Sequence, residues 1–513
     1  MCIQKPDPSS LVLTLLFKTT TMKNFLAIKR KVAYASILMI GFNLGCTNLD
    51  ETVYDQIPQD QYGQTEGQLN TLIGPLYTGL GGYFSTFELL NCVTDEELAP
   101  TRGGDWGEPE WKFMTEHTWP TSFYGFDNLW NWIYSNIAKV NQKIANPGFQ
   151  SPEAQAELKA LRAFYHYEAL DNFGNVLISE SVGTDSPPQS SRAEVYAFVE
   201  KELLDALPNL STDVRAKYGR ISKYVAHMIL AKLYLNAEVY TGTPQWAKAI
   251  EQCDAIIQSG QFTIATDFLS TFSVNNENST EIILSTPFDK SQRTGLYLQM
   301  STLHYLHQLT YDLGSAPWNG YCTYAEFYDT FEPDDVRRQM WLTGQIYSSS
   351  GEALFDDTQP AILTKEIPSF KMPAGPDARL AGYRSVKYEV ERGATFDMSN
   401  DFVIYRISDV YLMRGEAHQR LGHVGEALDD VNAVRSKRGV DAFTIMSLDD
   451  ILAERGRELA WEYHRRQDLI RFGKFENAWG FKPVTQEYLR LFPIPQSQIA
   501  LNPNLTQNFG YPQ

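Results

Sequence analysis

Cysteine is scarce in this chain, and the few present are poorly placed for chemistry. Among 513 residues there are five: Cys2, Cys46, Cys92, Cys253 and Cys322. None forms a CxxC pair or has a histidine at ligand spacing, so no zinc site is expected. With Cys2 and Cys46 set apart near the amino terminus, three remain, which does not suggest a disulfide framework. Cys253, on an apolar helical face, reads as a small core residue. Concentrated positive charge is lacking too. Lys and Arg total 44 against 62 Asp and Glu, giving a net charge of −18, and the basic residues are scattered among acids. Nucleic acid needs a basic stripe, so it is excluded as a partner. GxSxG, HExxH and P-loop signatures are missing. Asp95-Glu96-Glu97 is acidic, but sequence neighbours do not make the facing carboxylates of glycoside hydrolysis. His304 and His307, three apart on a possible helix, share a face and read as satisfied histidines. No catalytic residue, cofactor or metal is expected.

Aromatic residues are plentiful, at 13% of a chain that is 43% apolar and 21% charged. That is a globular composition, long enough for a large core and more than one lobe. Near the amino terminus, Lys23, Lys29, Arg30 and Lys31 precede the apolar run of residues 32–42 and then Asn43-Leu44-Gly45-Cys46. A basic stretch, a short apolar run and a small residue before cysteine spell a secretory signal, too short to span a membrane. The cysteine resembles that of a lipobox, which makes Cys46 the expected lipidated residue and Met22 the expected start. Asn43 departs from the usual leucine of such motifs.

The organising stretch is residues 402–475. Val410, Met413, Ala417 and Leu421 recur at helical spacing; Gly422 and Gly425 break the chain; Ala427, Leu428, Val431 and Val434 resume the period, with Gly439 expected as C-cap. Gly415, Gly422 and Ala427 match the small-residue positions of a tetratricopeptide (TPR) hairpin, which needs stacked neighbours to bury its face. A second hairpin is expected from 222–238 and 246–258, with further helices at 127–144, 152–170 and 192–207. Asp60 is expected to cap a helix carrying Leu69 to Tyr77, and 447–475 to form one helix begun at Ser447, with Glu458, Glu462, Arg465, Arg466 and Asp468 as ion pairs worth little if exposed. Residues 100–120, with Gly103, Gly104, Gly107 and Pro109, are expected to be irregular. The predicted fold class is mainly α: TPR-like αα-hairpin repeats forming a right-handed helical scaffold, with a loop-rich lobe and a few short strands. The predicted divisions are 1–45 (extension and signal), 46–260 (helical), 261–401 (irregular) and 402–513 (TPR-like).

Several stretches together resemble the SusD/RagB family of outer-membrane nutrient-uptake lipoproteins: Cys46-Thr47-Asn48-Leu49-Asp50; residues 160–165 with Asn172-Phe173-Gly174; residues 405–417 with Asn432-Ala433-Val434-Arg435; Arg455-Gly456-Arg457-Glu458-Leu459 through Arg471; and Pro493-Ile494-Pro495 with Asn502-Pro503-Asn504-Leu505. The resemblance implies a lipid-anchored, non-catalytic protein on the outer membrane, facing the cell exterior. It also implies a TonB-dependent transporter as partner and an oligosaccharide as ligand, with peptide in some members. Sugars stack on aromatic rings while polar groups meet their hydroxyls. Two loops have that composition and are similar in position to the ligand loops of starch-binding members: residues 102–108 and 314–321. Trp106 and Trp318 are the expected platforms, Tyr321 a flank, and Arg102, Asp105 and Asn319 the hydrogen-bond partners. Trp111, Trp119, Trp130 and Trp132 read as packing. An exported glycoside hydrolase is the alternative outside this family.

Overall fold

Small polar residues set where the helices begin, by satisfying the free N–H groups of the first turn. In the computed structural model, which describes residues 65–146, 151–183 and 186–512, Thr65 caps α1 (Glu66–Leu80) in a reciprocal capping box with Gln68. Asp60, expected as that cap, lies outside the described residues, as do Cys46 and the signal segment. α2 (Gly82–Leu90) follows, then α3 (Pro109–Glu116), where an irregular stretch was expected. Pro109 occupies the first helical turn, where its missing N–H costs nothing, so it starts a helix instead of excluding one. α4 (Tyr124–Ile144) and α5 (Pro152–Phe173) come next, the latter capped by Ser151. The spacing of Leu158, Leu161, Tyr165 and Ala169 predicts one apolar stripe on α5, which understates its burial. Glu157, Arg162 and His166 are buried as well as Leu158, Leu161 and Tyr165, so the helix is enclosed on every side.

α6 (Arg192–Ala206), α7 (Lys223–Leu235) and α8 (Trp246–Ile257) continue the array. The chain then leaves it for about 140 residues of short elements, including β2 (Ile282–Thr286) and α9 (Leu298–Thr302), and returns through β4 (Phe402–Arg406). The lobe is stitched along its length by two-residue pairs. One joins β1 (Thr101–Arg102) in parallel to β3 (Lys371–Met372). β2 and β4 pair antiparallel, so the outgoing and returning strands meet at the root of the lobe. The sequence reading missed β4, placing helix there. α10 (Ile407–Leu421) packs directly against α8, so the helical array is continuous across the insertion.

α10 ends at Gly422, whose φ of 82° suits glycine, and α11 (Val424–Arg435) folds back on it. A methyl group on Gly415 would lie 3.0 Å from Val431 Cγ2, which is why the crossing needs a small residue there. Gly439 is not the C-cap; the helix stops at Arg435. The single helix expected over 447–475 is two, α12 (Leu448–Leu459) and α13 (Arg465–Arg471). They are separated by a bend in which Trp461 and Tyr463 take φ of 60° and 65°. No glycine signals that bend.

Buried charge fastens the inserted lobe to this frame. Glu458 of α12 is fully buried and accepts from Arg337 Nη1 at 3.0 Å, Arg406 Nη1 at 2.8 Å and Arg438 Nη2 at 2.8 Å. Arg337 also meets Asp335 and Glu454, and Lys387 meets Glu462, so two cations of the lobe insert among the acids of α12 and its bend. Arg455 and Arg471 flank Asp468 in turn. The expected ion pairs form, but Glu458, Glu462 and Asp468 are buried and interlocked, so the small worth of exposed pairs does not apply to them.

Candidate ligand-binding site

Arg102 and Asp105 exchange backbone hydrogen bonds across Gly103-Gly104, making a tight turn in which Gly103 has φ of 70°. The next residue, Trp106, takes φ of 56°, unusual for a side chain of this size. What holds it is contact. Its Nε1 donates to Trp318 O at 2.8 Å, and its ring lies on Gly320, where a Cβ would come within 2.2 Å of Trp106 Cζ2. Thr101 Oγ1 donates to Trp106 O at 2.9 Å. Loop 314–321 is laced to the α9 segment through Trp318 N to Met300 O at 2.6 Å, Asn319 N to Leu303 O at 3.0 Å and Gly320 N to Ser301 O at 2.9 Å. The two loops, more than 200 residues apart in sequence, therefore form one surface.

That surface is an open depression of about 660 Å³, lined by Asp105, Trp106, Glu108, Trp111, Tyr305 and Trp318 among others. Trp106 and Trp111 rings stand 4.8 Å apart, and Trp318 leans on Tyr297 and Phe396 at 5.8 and 5.1 Å. Asp105 is exposed and accepts a hydrogen bond from the Tyr305 hydroxyl. Apolar ring faces beside carboxylates and a phenol suit a polyhydroxylated ligand. Two other hollows are less suited. A cavity inside the frame, between Tyr83, Glu168, Lys232 and His464, holds about 40 Å³, room for a water or so. A cleft of about 640 Å³ beside Val386 and Val390 has one aromatic, Tyr311, and the Arg392 guanidinium sits 5.5 Å from the centre of its ring.

Three of the six predicted contact residues lie beneath the surface, not on it. Arg102 is buried and donates to Gly320 O at 2.8 Å and Ala381 O at 2.9 Å. Asn319 is buried and accepts from Arg384 Nη2 at 2.6 Å while donating to Arg379 O at 2.9 Å. Tyr321 is buried edge-on against Trp106 and Trp111. These side chains join the loops from beneath the depression. Trp106, Trp318 and Asp105 do line the depression. Tyr305, Glu108 and Trp111 also line the depression, which the sequence did not indicate; Trp111 packs against the core as expected while bordering the hollow. Trp119 and Trp130 are core and Trp132 packs partly buried against it, as expected.

Electrostatics under the site are unusual. Arg384 is fully buried without a carboxylate partner; burial, then neighbouring Arg102, lowers its pKa to about 9. Behind the loops, Glu88, Glu96 and Glu97 share a buried pocket in which Asn91 Nδ2 donates to both Glu96 and Glu97. Burial raises Glu88 and Glu96 to about 7, and Glu97 rises well above the usual carboxylate range. His304 and His307 are buried, and their Nδ1 atoms accept backbone N–H groups of Leu306 and His304, closing a turn. His304 Nε2 is buried without a hydrogen bond, 3.4 Å from Asp356 Oδ2, so the expectation of satisfied histidines does not hold for that atom. Among the described residues no group of three or more His, Cys, Asp or Glu could hold a metal.

Fold and site together define a class: a helical-hairpin scaffold that presents an aromatic, carboxylate-edged face on an inserted lobe. The profile of the SusD family matches residues 280–511. Over 500 residues the chain is 28% identical to the starch-binding protein SusD of Bacteroides thetaiotaomicron, covering 84% of this chain and 86% of that one. Among solved structures, a SusD superfamily protein from Parabacteroides distasonis superposes with a TM-score of 0.70 at 22% identity, covering 87% of this chain and 99% of that one. Surface glycan-binding protein A from Bacteroides thetaiotaomicron, solved with laminarihexaose, gives 0.68 at 20% identity, covering 86% and 99%. Residues 280–511 thus match the SusD family, and over most of its length the chain is similar in sequence and fold to SusD-like proteins. Among the described residues no helix is long and apolar enough to cross a membrane.

Proposed function

We propose that this protein is a cell-surface glycan-binding lipoprotein that captures oligosaccharides on the depression between loops 102–108 and 314–321 and delivers them to a TonB-dependent outer-membrane transporter. Trp106 and Trp318 are the stacking platforms, with Asp105 and Tyr305 meeting hydroxyls at the edge. The observation that carries the reading is the convergence of two distant aromatic loops on one open hollow. Relatives named for starch binding and surface glycan binding support it. Cys46 is the lipid attachment point, outside the described residues, and the transporter is the partner the family implies. The protein is a binder, not a catalyst, in keeping with the relatives named for starch and glycan binding.

Titrating the purified protein against starch-derived, laminarin-derived and other oligosaccharides tests the reading. Binding to at least one glycan without release of reducing sugar is the expected outcome. Failure to bind any glycan, alongside tight binding of peptides, would replace it with peptide capture.

A further inference from the structure

The chain has eight histidines. His117, His166, His304, His307 and His464 are buried, and His227 is half-buried with its Nδ1 2.8 Å from Gln252 Oε1. The remaining two, His418 and His423, reach solvent at one place, the turn between α10 and α11. Gly422 turns the chain there, and His423 N–H donates to His418 O at 2.9 Å. The turn thereby carries the two side chains onto the same side, with ring centroids 5.5 Å apart and Nδ1 facing Nδ1 at 3.2 Å.

Two imidazole nitrogens at that separation are compatible in two ways. Either one keeps its proton and donates to the other, or both are unprotonated and share a cation. A histidine–metal bond is about 2.0–2.1 Å, so an ion bonded to two nitrogens 3.2 Å apart has an N–metal–N angle of about 100°. That lies between the right angle of tetragonal coordination and the tetrahedral value. The backbone hydrogen bond across the turn already holds the pair, so little ordering remains to be done on binding. Burial lowers the pKa of His418, and Asp430 of α11 and then Glu426, exposed in its first turn, partly offset this as negative charges. The nearby cation, Arg414, is paired with Asp430 and Asp254.

We propose that His418 and His423 form a surface chelate for a divalent transition-metal ion of the copper or zinc type, held by both Nδ1 atoms with water completing its coordination. With no third ligand in place among the described residues, the site discriminates by intrinsic affinity alone, so copper binds ahead of zinc. A bound ion would link the end of α10 to the start of α11, and therefore stabilise the frame by mass action. This inference does not rest on the glycan reading.

The test is titration of the purified protein with CuCl2, and separately ZnCl2, followed by electron paramagnetic resonance for copper and by thermal melting for both. Expected are one copper with nitrogen coupling from two imidazoles, zinc at least tenfold weaker, and a melting temperature that rises with either metal. H418Q and H423Q each lose that copper signal and the metal-dependent rise, while keeping the metal-free melting temperature; H227Q keeps both. Metal binding that survives in H418Q and H423Q, or no copper binding beyond that of the double variant, would overturn the proposal and leave the pair as a hydrogen bond only. Both histidine variants should bind glycan as the unaltered protein does.

Discussion

The frame around α12 and the seam beneath the ligand face both bury arginine, but they compensate it differently. In the frame, Arg337, Arg406 and Arg438 converge on Glu458, and Arg435 meets Glu454. Burial alone would raise Glu454, yet the guanidiniums of Arg337, Arg457 and Arg435 hold it at about 2. In the seam, Arg102 and Arg384 have only carbonyls, an amide and a sulfur as partners. The nearby Glu88 and Glu96, raised by burial to about 7, are about half protonated at neutral pH, Glu97 is raised further out of the usual carboxylate range, and none of the three pairs with either arginine. Interlocked charge makes a site intolerant of losing one partner. Carbonyl-satisfied charge instead fixes backbone geometry, which is what two joined loops require. The molecule is thus fastened by ion pairs where the lobe meets the helices, and shaped by directed hydrogen bonds beneath the aromatic depression.

The largest effect expected from this contrast is Glu458→Gln. It leaves three buried guanidiniums short of a charge, and urea unfolding should show a loss of about 3–5 kcal/mol. Arg102→Met should cost less stability, about 1–3 kcal/mol for the carbonyls left unpaired, but should weaken glycan binding because Gly320 and Trp106 lose their support. A stability effect of Arg102→Met as large as that of Glu458→Gln would erase the distinction.

The two regions should also respond oppositely to pH. Glu88 and Glu96 sit above their ordinary value of 4.5. Their contribution is complete below that value and is lost as pH rises through about 7. Glu454, and Asp409 of α10, which pairs with Arg455 at 2.8 Å, sit at about 2. Their contribution is present above their ordinary values and lost as pH falls toward 2. Glu88→Gln should therefore raise stability at pH 8 by roughly 1–3 kcal/mol while changing little at pH 4.5, read by denaturant midpoints across pH. An equal gain at both pH values would remove protonation as the cause. The smallest effect expected is Asp105→Asn, which keeps the Tyr305 contact in neutral form. It should change glycan affinity no more than severalfold and leave the melting temperature unmoved.

Much of the frame is legible in the sequence because helical period and small residues act locally. Gly415 and Gly422 announce a tight hairpin, and Ser151, Ser191, Ser222 and Ser447 each cap the helix that follows. What is not legible depends on distant segments. Glu458, Glu462 and Asp468 alternate with arginines at the spacing of a solvated helix, and only the docking of Arg337 and Lys387 from the lobe encloses them. The bend at Trp461 and Tyr463 has no glycine to mark it. In the site, the aromatic loops could be picked out by their glycine, proline and tryptophan content, but their union could not. Arg102 reads as a ligand partner because charge in a glycine loop suggests exposure. The structure turns it inward to hold Gly320 O. Tyr305, separated from both loops in sequence, has no local signal at all.

The central claim is that Trp106 and Trp318 form a ligand platform supported by a frame that does not depend on them. It is tested most directly by glycan titration of Trp318→Ala with its thermal melt recorded alongside. The account predicts at least a tenfold loss of affinity for the best-bound oligosaccharide, with the melting temperature close to that of the unaltered protein. Undiminished affinity in a folded Trp318→Ala protein would contradict it.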